Sequence, residues 1–136
     1  MKTLQDLAKK MKDIDLAMLS THTEGGEIAG RPMSNNGDVD YDGDSYYFTW
    51  DRSRMVQDIE RDPRVGLAFQ GKKAFFVAVE GRAEVIRDRG QFKAHWTPDL
   101  DRWFTDGVDT EGLAMLKVHA QRIHYWDGEE DGEVRV

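Results

Sequence analysis

A chain of 136 residues has single-domain length, and a globular domain of that size buries roughly two-thirds of its unfolded surface, so it needs no structural metal to fold. Cysteine is absent, which excludes thiol catalysis and thiolate metal sites and fits a reducing compartment. The net charge of −7 argues against a general nucleic-acid binder, whose affinity comes from neutralising phosphates, but not against a small anion held by a local group of arginines.

The N-terminal stretch MKTLQDLAKKMKDID is broken by charge and so lacks the apolar centre of a signal peptide. No apolar run approaches the roughly 20 residues of a membrane span. The expectation is a cytoplasmic protein that meets neither membrane nor nucleic acid. The same stretch reads as a helix over about residues 3–15. Thr3 is placed to cap it, with Asp6 at the third helical position, and Leu4, Leu7, Met11 and Ile14 form one apolar stripe.

Strands are predicted at residues 16–22 (LAMLSTH) and 28–34, joined by a turn at Glu24-Gly25-Gly26. The run DVDYDGD, beginning at Asp38, sets carboxylates at alternate positions and a glycine at the sixth, as in the opening of a calcium loop. The twelfth position, where such a loop needs a bidentate Glu, is Thr49, and residues 46–49 (YYFT) are a β-type sequence rather than a helix. An acidic turn feeding a short aromatic strand is the simpler reading, and no metal site is expected.

Ser53 is placed as an N-cap for RMVQDIERD, in which Met55, Val56 and Ile59 share a face and Pro63 ends the helix. Strands at residues 65–70 and 75–86 follow, with Gly81 inside the second, where a bulge or bend is the usual reason. A helical piece near residues 88–95 leads into an irregular, aromatic- and aspartate-rich connection. Strands at residues 114–118 and 123–126 close the domain, and the acidic residues 128–136 read as a mobile tail. About six strands without βαβ alternation point to one domain, residues 1–136, that is mainly β with a few helices: a small antiparallel barrel closed to remove its edges.

The four histidines, His22, His95, His119 and His124, show no metal-ligand spacing, and the chain has no nucleophile elbow, Walker loop or GxGxxG. No residue stands out as a catalytic acid or base. Trp50, Trp96 and Trp103 stand among charged or turn residues, where core packing is an incomplete explanation. The segment Thr49-Trp50-Asp51-Arg52-Ser53-Arg54 has two readings. Ser53 is an ordinary N-cap beside surface arginines, or the helix start and the guanidiniums form an anion site. Upstream, Arg31-Pro32-Met33 places a proline in a strand, which puts that strand at an edge or beside a gap where a planar heterocycle could lodge.

Five segments in order, GEIAGRPM, DGDSYYFTWDRSRMVQDIERDPRVGLAF, VAVEGRAEVIRD, HWTPDLDRWFTDGVDTEG and IHYWD, give the chain a specific likeness from about Leu16 to Asp127. It resembles the pyridoxamine 5′-phosphate oxidase-like split-barrel flavoproteins, and among them the bacterial general stress protein group. The resemblance implies a six-stranded antiparallel (Greek-key) split β-barrel that forms a homodimer with FMN at the subunit interface. It also implies that Arg31, Pro32, Met33 and Ser34 lie along the flavin ring, with Phe48 and Thr49 at the end of the neighbouring strand. Ser53 and Arg54 match the residues that grip the FMN phosphate, the family commonly having lysine at the second. Trp103, and less directly Trp96 and Trp126, would approach the ring from the partner subunit.

Two departures argue against pyridoxamine phosphate oxidation itself. The oxidases carry a longer basic C-terminal region, and they have a glutamine where this chain has Phe76. The activity expected is that of an FMN-dependent oxidoreductase using a small-molecule electron donor and acceptor. The alternatives are a non-catalytic flavin-binding stress protein, or a split barrel that uses a deazaflavin or haem instead.

Overall fold

The computed structural model describes residues 1–35 and 40–136. It consists of helices α1 (Leu4–Met11), α2 (Arg54–Arg61) and α3 (Arg89–His95) and seven strands. The strands are β1 (Leu16–His22), β2 (Ile28–Ser34), β3 (Asp44–Trp50), β4 (Arg64–Gln70), β5 (Phe75–Ile86), β6 (Leu113–Asp127) and β7 (Glu130–Arg135). All pair antiparallel in the order β2-β1-β4-β5-β6-β3, with β7 also on β6. The split barrel implied by the resemblance is present, and the full closure suggested by the strand pattern alone is not. β2 and β3 end the order, so the barrel is split between them, and Pro32 lies on an edge strand as its missing N–H requires.

Helix α1 begins with the capping box read from Thr3 and Asp6 but stops at Met11, short of the expected 15. The reason is Asn35, whose Nδ2 donates to the carbonyls of Met11 at 3.0 Å and Ile14 at 2.7 Å and so terminates the last turn. In α2, Ser53 accepts from the Val56 N–H at 3.2 Å, and Met55, Val56 and Ile59 face the core. Asp58 is buried on the same face, which the apolar spacing did not announce.

The two terminal strands predicted are instead one, β6. The register runs Gly81 against Ala120 and Glu80 against Arg122, which leaves Gln121 as the extra residue of a bulge. The bulge shifts the buried phase from Val118 and Ala120 to Ile123 and Tyr125, and that shift makes one strand look like two in the sequence. A side chain at Gly81 would collide with the His119 carbonyl. The acidic tail is a strand too. Gly128, at φ +64°, opens a two-residue turn after Asp127, and β7 then pairs residue for residue with β6. Lys2 bridges Asp127 at 3.0 Å and Glu130 at 3.5 Å, which offsets the charge that made this tail look mobile.

The main core lies inside the curved sheet, around Leu19, Val56, Leu67, Phe69, Val77, Leu116, Ile123 and Tyr125. A smaller core on the other face of β3 and β6 joins Phe92, Phe104, Leu113 and Met115. It is capped by α3 and by two short 3-10 turns, Pro98–Arg102 and Gly107–Asp109. No helix among the described residues is long and apolar enough to cross a membrane.

Candidate functional site

The split between β2 and β3 is a groove of about 740 Å³. Arg31, Pro32, Met33 and Ser34 line it from β2, and Phe48, Thr49 and Trp50 line it from β3. Met55 of α2 and Trp103, just after the 3-10 turn at Pro98–Arg102, complete much of the boundary. Seven of the nine residues expected to hold a cofactor therefore meet in one place, while Ser53 and Arg54 are outside this lining. They stand at its end, between the lining residues Trp50 and Met55, at the start of α2. Ser53 Oγ serves the N-cap, and Arg54 is exposed and makes no hydrogen bond or ion pair among the described residues.

Arg31 and Arg54 belong to one electrostatic cluster. Burial holds the Arg31 guanidinium below its ordinary value, Asp58 opposes that, and the positive charge of Arg54 adds to the lowering. Arg54 also helps to hold the Glu27 carboxyl below its usual range, after the larger effect of the Thr23 hydroxyl. Arg31 Nη1 donates to Thr21 Oγ1 at 2.9 Å and to the Leu19 carbonyl at 3.4 Å. Its Nε and Nη2 make no hydrogen bond among the described residues, so the bidentate edge of the guanidinium is free.

The aromatic side of the groove is built by the insertion between β5 and β6. Phe104 packs on Trp50 with ring centroids 4.9 Å apart, and Trp96 packs edge-on against Phe48 at the same distance. Trp96 Nε1 donates to Asp101 Oδ1 at 3.0 Å, which ties α3 to the following turn. These contacts carry Trp103, 69% exposed, to the rim of its own chain's groove, whereas the sequence reading brought it from a partner. Trp96 supports Phe48 from behind and is not in the groove lining. Trp126 lies elsewhere, paired across from Phe76 on the outer face of the sheet.

Sequence reasoning passed over His95, Asp99 and Arg102, all of which line the groove. His95 ends α3 and stacks on Tyr46 with centroids 3.7 Å apart. The aromatic-rich connection was the available signal, but only the fold of that segment brings these residues to β3.

A smaller cleft of about 160 Å³ adjoins the groove, bounded by α1, β3 and the end of α3. Tyr47 faces it with a buried hydroxyl that has no hydrogen-bond partner among the described residues. Burial pushes Tyr47 up to about 12, with the Ser45 hydroxyl opposing, and burial raises Tyr41 further.

Asp38 and Val39 of the acidic run lie outside the described residues. Of the rest, Asp40 bridges Lys12 at 2.6 Å, Asp42 accepts from the Asp44 N–H at 3.0 Å, and Asp44 bonds His119 at 2.6 Å. Gly43, at φ +106°, makes the bend into β3. These carboxylates serve separate neighbours and deliver the aromatic strand.

A sequence model of the family described as "Pyridoxamine 5'-phosphate oxidase like" matches residues 2–136. No curated protein sequence matches the chain significantly. Among solved structures, a protein related to general stress protein 26 from Clostridium acetobutylicum superposes with a TM-score of 0.84 at 19% identity, over 98% of this chain and 94% of that one. The general stress FMN/FAD binding protein of Xanthomonas citri gives 0.78 at 23% identity, over 98% and 94%. A haem binding protein from Mycobacterium smegmatis gives 0.77 at 14% identity, over 99% of this chain and 59% of that one. At these identities the likenesses concern the fold, which is the split barrel.

Proposed function

The chain belongs to the pyridoxamine 5′-phosphate oxidase-like family, and from that premise we propose that its groove binds FMN and that the protein acts as a general stress-type flavoprotein. The observation that carries the reading is the free bidentate edge of Arg31 at the open edge of β2, beside the unpaired Arg54 and the start of α2. The residues present fit the cofactor. The unpaired edges of β2 and β3 offer backbone groups to the heteroatoms of a planar ring, and Phe48, Trp50 and Trp103 offer apolar surface. The groove falls within the roughly 300–1,000 Å³ typical of small-molecule sites. Ser53 and Arg54, matched to the phosphate by the resemblance, would hold it, and Arg31, which the resemblance set along the ring, would join them through its free edge. Two charge-assisted hydrogen bonds would contribute a few kcal/mol there. This explains how a chain of net charge −7 holds a dianion: the binding field is local.

Bound FMN would supply hydride and single-electron chemistry, for which the chain provides position, exclusion of water and charge. The Xanthomonas relative, named for FMN or FAD binding, supports the flavin reading. Phe76 in place of the oxidases' glutamine counts against pyridoxamine phosphate as substrate. The functional unit in this reading is a homodimer. Leu16, Met18, Ile28, Phe76 and Trp126 are all at least 39% exposed on one outer sheet face, and the register continues that face through Pro32, Ala68 and Ala78. Such a contiguous apolar face suits an obligate partner of its own kind. Lacking cysteine, the chain suits the cytoplasm.

The test is the visible spectrum of the purified protein, with mass identification of what denaturation releases, and sedimentation for the dimer. Flavin absorption and FMN release support the reading; a colourless monomer that takes up no FMN overturns it. Reduction of the flavin by NADH or NADPH, followed by transfer to an acceptor, separates an oxidoreductase from a storage protein. One observation favours a second reading, haem. His95 lines the groove and makes no hydrogen bond or ion pair among the described residues, so its ring is available as an axial ligand. A Soret band abolished by His95→Ala would establish haem in place of flavin. A preparation without flavin absorption that takes up a deazaflavin would establish that alternative.

A further inference from the structure

We propose that Asp58 is a positioning residue, which acts through the hydroxyl of Thr21 to aim Arg31 at the anionic end of the groove's ligand; this rests on the phosphate reading above. Asp58 and Thr21 are each only 1% exposed, yet neither is a packing residue by chemistry. A buried carboxylate is costly unless paired and hydrogen-bonded. Asp58 has two such partners. Arg61 Nη1 reaches Oδ1 at 3.3 Å, and Thr21 Oγ1 donates to Oδ2 at 3.4 Å.

The direction of the chain of hydrogen bonds follows from chemistry. A guanidinium only donates, so Thr21 Oγ1 must accept from Arg31 Nη1 at 2.9 Å. The single hydroxyl proton is then left for Asp58. The carboxylate orients the hydroxyl, and the hydroxyl lone pair fixes Nη1. With Nη1 committed to Thr21 and to the Leu19 carbonyl, the Nε and Nη2 edge remains to meet a second anion bidentately.

Charge makes the same case. Arg31 is partly buried and close enough to Arg54 to be affected by its positive charge. Two cations so placed would repel and splay apart without a counter-charge. Asp58 supplies one from beneath, which keeps both available before the ligand arrives. Three elements meet in this link: α2 carries Asp58, β1 carries Thr21 and the edge strand β2 carries Arg31.

The experiment measures dissociation constants for FMN and for riboflavin, which lacks the phosphate, on the full-length protein. Asp58→Asn keeps the volume, removes the charge and offers an amide N–H that competes for the Thr21 oxygen. It should weaken FMN by about tenfold, the size of one charge-assisted hydrogen bond, while riboflavin changes by less than about twofold. Thr21→Val should reproduce the fall in the ratio, and Thr21→Ser, which restores the hydroxyl, should return it to that of the unaltered protein. A merely structural role would lower the melting temperature and weaken both ligands alike, and that result overturns the proposal. Should Asp58→Asn fail to fold, the Thr21 pair decides by the same ratio. Arg31→Leu separates the two levels of inference. If it collapses the ratio while Asp58→Asn and Thr21→Val leave it intact, Asp58 loses its role and the phosphate reading stands. If Arg31→Leu leaves the ratio intact, Arg31 is not at the phosphate and this proposal falls, while Arg54→Glu decides whether the phosphate reading stands on Ser53 and Arg54.

Discussion

The middle of the sheet and its two open edges are built to different rules. Strands β4, β5 and β6 are paired on both sides, and their inward residues, Leu67, Phe69, Val77, Val79 and Ile123, are at most 2% exposed. Strand β2 has one neighbour, alternates between half-buried and exposed along its whole length, and carries a proline and an arginine. Strand β3 is likewise terminal in the order, but its outer face is covered by the aromatic insertion. Stability resides where every backbone group has a strand partner, and recognition resides where it does not. A split barrel leaves two edges exposed, and a ligand or partner can satisfy them.

This contrast can be broken by mutation. The largest effect on stability is expected at Gly81, where a β-carbon on β5 would run into the backbone of β6. Gly81→Val drives a side chain into the His119 carbonyl and should cost about 3 kcal/mol or prevent folding, as read by denaturant unfolding. At the open edge the reverse is expected. Arg54→Glu should leave stability within about 0.5 kcal/mol, since the side chain is exposed and unpaired, and yet weaken FMN about a hundredfold. Riboflavin binding should be much less affected. Equal loss of both ligands would remove Arg54 from the phosphate site.

Tyr47 sharpens the comparison at the border of the two regions. Among the described residues its buried hydroxyl has no hydrogen-bond partner of good geometry, although the Ser45 hydroxyl lies near enough to oppose its rise in pKa. Tyr47→Phe should therefore stabilise the fold by up to about 1 kcal/mol in thermal or denaturant unfolding. The ordinary value for this hydroxyl is 10.0 and the folded value about 12, so the folded state favours the protonated form. That preference contributes fully below pH 10 and is lost as the pH rises to about 12. Tyr47→Phe should therefore flatten alkaline unfolding in that window; an unchanged alkaline limb would contradict the assignment.

The smallest effect concerns the surface carboxylates that lash α1 to the end of β6. Lys10, then Lys2, hold Asp127 below its ordinary 3.8, so its contribution is present above that value and is lost as the pH falls through the lower folded one. Asp127→Asn should produce a shallower acid limb and only a small loss at neutral pH, smaller still in high salt.

Much of the architecture was legible because it is local. The Thr3 and Asp6 box, the Ser53 cap, the turn at Gly25-Gly26 and the alternation in β1, β4 and β5 all follow from side chains within a few residues of one another. The edge position of β2 was legible from Pro32, and the bulge from Gly81. The tail was misread because Glu129, Glu130 and Asp131 look solvated by composition, while the side chains that meet Glu130 and Asp131, Lys2 and His124, come from elsewhere in the chain. The span of β6 was misread because its bulge reverses the buried phase. Within the site, the motif residues on β2 and β3 could be named from the sequence, but Asp58, Thr21 and His95 could not. Their significance lies in contacts between segments 10 to 49 residues apart, such as Thr21 with Asp58 and Tyr46 with His95.

The sequence by itself determined the caps, the turns, most strand positions and the family, because each is written in short-range chemistry and in an ordered set of motifs. Only the tertiary structure decided that β6 runs through its bulge as one strand, that Trp103 lies at the rim of its own chain's groove, and that a buried carboxylate reaches Arg31 through Thr21. Those outcomes depend on which distant segments find one another as the core forms, and no local pattern encodes that meeting.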